Sequence, residues 1–191
     1  MSLHAKPIDA VDSPRHSIKV RLTKLRQLFN SLDPSPFHEQ DLDSDAETYI
    51  FESANEHPLA EPIELVVHLP ADQLSLPECG DLERAIRHYF AYRAQETRRR
   101  MRFQFREGRS ALAIGLAFLI LCMTLRQLAL LLPSDTLGRI LQEGLLILGW
   151  VAMWRPLQIF LYDWWPIRRQ ARIYDKLARM RVAILPYDPT D

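Results

Sequence analysis

Between Ser110 and Leu132 the chain reads SALAIGLAFLILCMTLRQLALLL, 23 residues whose only charge is Arg126. As a helix this stretch is ~35 Å long, enough to cross a hydrocarbon core of ~30 Å. Its position, far from the start, and its length are not those expected of a cleaved leader. PSDTLGR, residues 133–139, supplies a proline, a Ser/Asp pair and a glycine, which is the chemistry of a chain reversal. A second apolar run, ILQEGLLILGWVAMWRPLQIFLYDWW, extends from Ile140 to Trp165 and is interrupted by Glu143, Arg155, Pro156 and Asp163. The pattern predicts a transmembrane hairpin, with helices over 110–132 and 140–165 and a short turn over 133–139 on the far side of the membrane.

Upstream the periods are shorter. In HSIKVRLTKLRQLFNSL, Ile18, Val20 and Leu22 alternate as in a strand, whereas Leu22, Leu25, Phe29 and Leu32 repeat at helical spacing, which predicts a short strand running into a helix. Asp33-Pro-Ser-Pro-Phe37 breaks it. Ser44-Asp-Ala-Glu47 reads as a capping box whose acidic first turn complements the helix dipole, with Ala46, Tyr49, Ile50 and Ala54 as the apolar face. IELVVHLP, Ile63 to Pro70, is the clearest strand, with Ile63, Leu65 and Val67 facing opposite to Glu64, Val66 and His68. Ser75-Leu-Pro-Glu78 is a second capping box with Pro77 in the first turn. Leu82, Ile86, Phe90, Met101 and Phe105 then keep a helical period without proline up to Ser110, so one helix is expected from about Leu76 into the membrane, ~80 Å long unless it bends near Arg98 to Arg100 or Gly108.

The expected fold class is a mainly α membrane protein: a transmembrane helical hairpin, a long helix leading into it, and a small α+β cytoplasmic head. In order, the segments are a flexible tail over 1–15, a small acidic α+β domain over 16–92, a basic juxtamembrane helix over 93–109, the hairpin over 110–165, and a basic amphipathic cytoplasmic tail over 166–191. Two strands make a sheet with little core of its own. A second copy is expected to complete it, by strand edges or by the faces of the long helix, which makes the chain a homo-oligomer.

Charge changes this picture by orienting it. Residues 1–92 hold 8 Lys/Arg and 16 Asp/Glu while residues 93–191 hold 16 and 8, so the neutral total is a −8 half joined to a +8 half. Seven arginines stand between Arg93 and Arg109, six Lys/Arg stand between Arg168 and Arg181, and the turn offers Arg139 alone. This asymmetry places both termini in the cytoplasm by the positive-inside rule. Tyr162, Trp164 and Trp165 then form an interfacial aromatic belt, and Arg98, Arg99, Arg100, Arg168, Arg169 and Arg172 meet anionic lipid headgroups. Nucleic acid is not the expected partner, because the aromatics sit on the lipid side of the arginines. Within the apolar runs the ionisable candidates are Arg126, Glu143 and Arg155. Arg126 falls ~24 Å along the first helix and Arg155 ~21 Å along the second, each within snorkelling reach of an interface. Glu143 is placed to pair with Arg126, and Pro156 should free a carbonyl one turn back and kink its helix.

Catalytic chemistry is sparse. Asp41, Asp43 and Asp45 suggest a calcium loop, but the required glycine and twelfth-position glutamate are missing. His68 has no nucleophile or acid in a catalytic pattern, and the two cysteines, Cys79 and Cys122, suggest neither a disulfide nor a metal site. No catalytic residue, metal or cofactor is expected. LFNSLDPSPF with DLDSDAE downstream, then RQL, EGLLILGW and WRPLQIFLYDWWP, resembles an uncharacterised family of bacterial inner-membrane proteins with a small cytoplasmic head and a helical hairpin, over about residues 18–181. The resemblance implies that fold and that membrane, and supplies no activity. The expected function is a non-enzymatic, oligomeric membrane scaffold whose acidic head binds a cytoplasmic protein partner. The alternatives are a subunit of an oligomeric channel or transporter, and a metal-dependent membrane-bound hydrolase using the aspartates.

Overall fold

The computed structural model describes residues 16–37, 39–129 and 136–187. The tail expected over 1–15 lies outside them, as does the start of the turn expected over 133–139. The chain divides into two compact units, one formed by residues up to Ala94 together with those from Arg172, the other by Gln95–Ala171.

The first unit is built on three parallel strands, β1 (His16–Arg21), β2 (Ile63–Pro70) and β3 (Arg181–Tyr187), in the spatial order β1-β2-β3. His16 lies opposite Ile63, and Glu64 opposite Arg181. Parallel neighbours cannot be joined by a tight turn, so each pair needs a crossover. Between β1 and β2 the crossover carries a 3₁₀ turn (Leu25–Leu28) and helix α1 (Ser44–Asn55). Between β2 and β3 it carries everything else: the single turn α2 (Ala71–Leu74), a 3₁₀ turn (Pro77–Asp81), α3 (Leu82–Ala129), α4 (Thr136–Ala152), α5 (Trp154–Gln158), a π-helical turn (Ile159–Asp163) and α6 (Trp164–Leu177). Both apolar runs thus sit inside one crossover of a small sheet.

Leu65, Val67 and Leu69 of β2 are fully buried against Leu25, Ile50, Leu82, Ile86, Phe90, Ile173 and Leu177 in a single core. Val66, expected on the exposed pleat, is 7% exposed, because a central parallel strand is covered on both faces. Arg87 Nε on α3 donates to the Met180 carbonyl at 3.0 Å, tying down the turn that feeds β3.

Several local expectations are corrected. The helix expected after β1 is only the 3₁₀ turn: Phe29 bridges Leu42, Asn30 N–H donates to Asp41 O at 2.8 Å and Asp43 N–H to Leu28 O at 2.9 Å, so tertiary pairing takes the backbone that a helix would need. Leu32, expected on the apolar face, is 89% exposed. The first capping box is displaced by one residue. Asp43 is the N-cap of α1 and accepts from Asp45 N–H at 3.0 Å, which leaves Glu47 for another role. Ser75 does not start a helix either. It closes α2, donating its hydroxyl to Asp72 O at 2.8 Å, and the long helix begins at Leu82. From there α3 runs without a break to Ala129, 48 residues with no proline and many strong helix formers. The second helix begins at Thr136 rather than Ile140.

The largest correction is at the C-terminal end. Residues expected as a basic tail over 166–191 continue the helix to Leu177 and then supply β3. The sheet is completed by the chain's own third strand, so the expectation that a second copy supplies it is withdrawn. Leu65→Ala, at the centre of this sheet, should destabilise the head by ~3 kcal/mol in a denaturant titration, whereas the same change at exposed Leu32 should cost under ~0.5 kcal/mol.

Candidate functional site

In the unit Gln95–Ala171, two helical stretches among the described residues, within Pro77–Ala129 and Gly138–Leu177, are long and apolar enough to cross a membrane. They touch through small residues. Gly108, Gly115, Cys122 and Ala129 recur every seven positions on α3 and are all buried, whereas Ile114, Leu121 and Leu128 beside them are exposed. A seven-residue seam stays on one face over several turns, and small side chains let two backbones approach closely.

Gly115 shows why size matters. Pro156 has no N–H, so the Ala152 carbonyl four residues earlier loses its helical donor. Gly115 packs on that carbonyl, and a methyl at Gly115 would lie 2.9 Å from its oxygen. The kink expected at Pro156 is seen as a local rearrangement: Met153 N–H donates to Trp150 O at 3.0 Å, and α5 restarts at Trp154. Gly108 and Gly149 are equally tight, an added methyl lying 2.8 Å from Ile159 Cγ2 and 2.8 Å from Leu119 Cδ1 respectively.

The charged candidates fall into distinct settings. Arg155 reaches Asp163 Oδ2 at 3.5 Å and Glu107 Oε1 at 4.0 Å, joining α5, the π-helical turn and α3. Trp164 donates its indole N–H to Phe160 O at 2.9 Å, lies tilted against Trp165 at 5.3 Å between ring centres, and sits 5.5 Å beneath the Arg168 guanidinium. Arg98, Arg99, Arg100, Arg168, Arg169 and Arg172 are exposed. Among the described residues no ion pair joins Arg126 to Glu143; the Arg126 Nε is buried without a hydrogen-bond acceptor, while Glu143 is exposed. Gln142, beside it, donates to Ala129 O at 3.3 Å at the end of α3.

In the head, the notable constellation is centred on Glu47. Its Oε1 accepts from Arg93 Nε at 2.8 Å and from the Tyr174 hydroxyl at 2.8 Å, and its Oε2 accepts from the Tyr89 hydroxyl at 2.6 Å. One carboxylate therefore binds α1, α3 and α6 together. The Arg93 guanidinium also lies 5.5 Å over the Tyr174 ring. Burial, then the hydrogen bond and charge of Glu47, push both tyrosine hydroxyls above their ordinary range. Burial works against the Arg93 charge, but Glu47 outweighs it and holds the guanidinium protonated.

Beside this network lies an open cleft of about 300 Å³ lined by Asp33, Ser35, Glu39, Asp41, His88, Tyr89 and Tyr92. Backbone N–H groups of Asp41 and Ser35 hold Asp33 below the usual carboxylate range. Of the aspartates weighed as metal ligands, Asp43 caps α1 and Asp41 N–H donates to Asp33 Oδ2 at 2.7 Å. Among the described residues no group of three His, Cys, Asp or Glu could hold a metal.

Sequence reasoning missed Glu47, which it assigned to a cap; its partners lie 42, 46 and 127 positions away, and no local pattern announces them. The glycine seam carried a signal in its sevenfold spacing. No known protein family, no curated protein and no solved structure matches the chain, so the resemblance to the hairpin family rests on the quoted phrases.

The packing and the network can each be tested by measurement. Gly115→Ala should lower the unfolding temperature of the full chain, at a cost of ~1–3 kcal/mol, whereas Gly144→Ala, with open space around the added methyl, should be neutral or stabilising by up to ~1 kcal/mol. Tyr89 and Tyr174 bind their protons more tightly folded than unfolded. Their contribution is therefore complete below the ordinary tyrosine value of about 10 and fades as pH rises beyond it. Absorbance titration should find at least two tyrosines resisting ionisation until the head unfolds in alkali; all six titrating together near pH ~10 would contradict the network.

Proposed function

We propose that this protein is a non-enzymatic, oligomeric integral membrane protein, a scaffold or partner-binding module with its head and both termini in the cytoplasm. The resemblance noted above points to the bacterial inner membrane.

One observation carries this reading. Strand β2 precedes both membrane-length helices and β3 follows them, yet the two strands pair in one sheet. A chain that crosses a bilayer between them has to return to the side it left, so the crossings are even in number. Lipid is the favoured surrounding because Ile114, Trp150 and Trp154 are 71%, 64% and 72% exposed within the apolar runs, and so continuous an apolar surface is costly in water. The arginine-rich flanks of both helices supply the side preference and the attraction to anionic headgroups. In this reading the acidic head receives a cytoplasmic protein partner, and Glu47 holds the head's helices in a fixed arrangement rather than turning over a substrate.

Topology mapping tests it. In inside-out and right-side-out vesicles, proteolytic tags at residues 1 and 191 should both be cleaved from the cytoplasmic face, and a label at position 134, between the two apolar runs, should react from the other. Cleavage of the two ends from opposite faces, or recovery of the chain in the soluble fraction without detergent, would overturn the proposal.

A further inference from the structure

We infer that the hairpin binds a second copy of this chain through reciprocal ion pairs, Arg126 of each copy to Glu143 of the other. The inference rests on the membrane reading above and names the partner and the contact.

Charge in a hydrocarbon setting is the starting point. A guanidinium and a carboxylate carried on apolar helices are both costly there unless paired or able to reach water. In this hairpin each remains without a partner among the described residues, and the buried Nε of Arg126 lacks even an acceptor. Their heights nevertheless match. Gln142 donates to the Ala129 carbonyl, and Gly149 packs on Leu119 and Cys122, which puts Glu143 and Arg126 within about one helical turn of each other along the hairpin.

What keeps them apart is their facing. The hairpin seam is occupied by Cys122, Ala129 and Gly149, and Glu143 is turned out to the surface. Copies inserted in the same orientation hold these groups at equal depth. A twofold axis along the bilayer normal makes the contact self-complementary, with two ion pairs formed at once.

The surface beside Arg126 suits such a partner. Leu119, Ile120, Met123, Thr124 and Gln127 line a shallow groove of about 330 Å³ on α3. Thr124 returns its hydroxyl to the Ile120 and Leu121 carbonyls at 2.8 Å, so it presents its methyl group, while the exposed Gln127 amide has no partner among the described residues. Small or apolar groups with an available amide are what helix pairs use within membranes. Charge complementarity selects a second copy over an unrelated helix, because among the described residues Arg126 and Glu143 supply one charge of each sign at this depth.

The test uses charge reversal and mixing, with the full chain reconstituted in lipid vesicles and association read by energy transfer between donor- and acceptor-labelled copies. Wild type should associate. R126E or E143R alone should weaken association about ten-fold or more. Mixing R126E chains with E143R chains should restore transfer, since one copy then carries a carboxylate at both positions and the other a guanidinium at both, and each contact across the interface again joins opposite charges. Neutral R126Q and E143Q should weaken association as well, which covers the case in which a reversal does not insert.

Rescue by the double reversal within one chain, without rescue by mixing, would place the pair inside a single hairpin and overturn the inference. Association indifferent to all four variants would mean that both charges snorkel to water, and a wild type that stays monomeric would overturn it equally. A wild type recovered soluble would remove the membrane reading as well, and that result is visible before any mixing.

Discussion

The pairing of β2 with β3 is the constraint on which the rest of this molecule depends. Seven residue pairs, from Glu64 opposite Arg181 to Pro70 opposite Tyr187, align strands whose sequence positions are separated by more than a hundred residues. Being parallel, they demand a crossover, and this protein uses that crossover to house two helices of membrane length. A small sheet ordinarily closes such a connection with a single helix packed on its face. Here the parts of the connection that pack on the sheet and its core lie near its two ends: α2 and the start of α3, through Leu74, Leu82, Ile86 and Phe90, and the end of α6, through Ile173 and Leu177. The third strand of the head follows both of these helices in sequence, so the sheet joins segments from either side of them.

Glu47 complements that constraint at the level of side chains. A buried carboxylate is unfavourable unless hydrogen-bonded and neutralised, and removing one partner of such a group costs more than the pair contributes. Arg93 supplies the charge, Tyr89 and Tyr174 supply two further donors, and the three come from the outgoing and the returning helix. The network specifies which faces of α1, α3 and α6 meet. A hydrophobic core alone tolerates small rotations of such helices, while a carboxylate with three fixed donors does not.

In the hairpin the organising quantity is size rather than charge. Between helices long and apolar enough to cross a bilayer, lipid would remove the hydrophobic drive for association and leave it to close packing and backbone complementarity. Pro156 withdraws a donor from the Ala152 carbonyl and Gly115 places its backbone against that oxygen, so a break in one helix and a missing side chain in the other answer the same local need. Arg155, paired with Asp163 and Glu107, then links the returning helix to the outgoing one at the level where apolar residues give way to arginines.

The two apolar runs, the alternation in Ile63 to Pro70 and the arginine asymmetry were legible in the sequence because each is a local period or a count. A helix able to cross a bilayer announces itself by length and hydropathy alone, since its backbone hydrogen bonds are internal. Tertiary structure alone decided what those elements do for one another. Arg181 to Tyr187 became a strand because an unpaired edge of β2 was waiting for it, Glu47 left its expected cap because Asp43 served the helix start and Arg93 offered a half-buried charge, and Phe29 left its helical period to bridge Leu42. Each of those outcomes depends on a partner far away in sequence, and the free energy of meeting that partner exceeds the small local preference that the periodicity records.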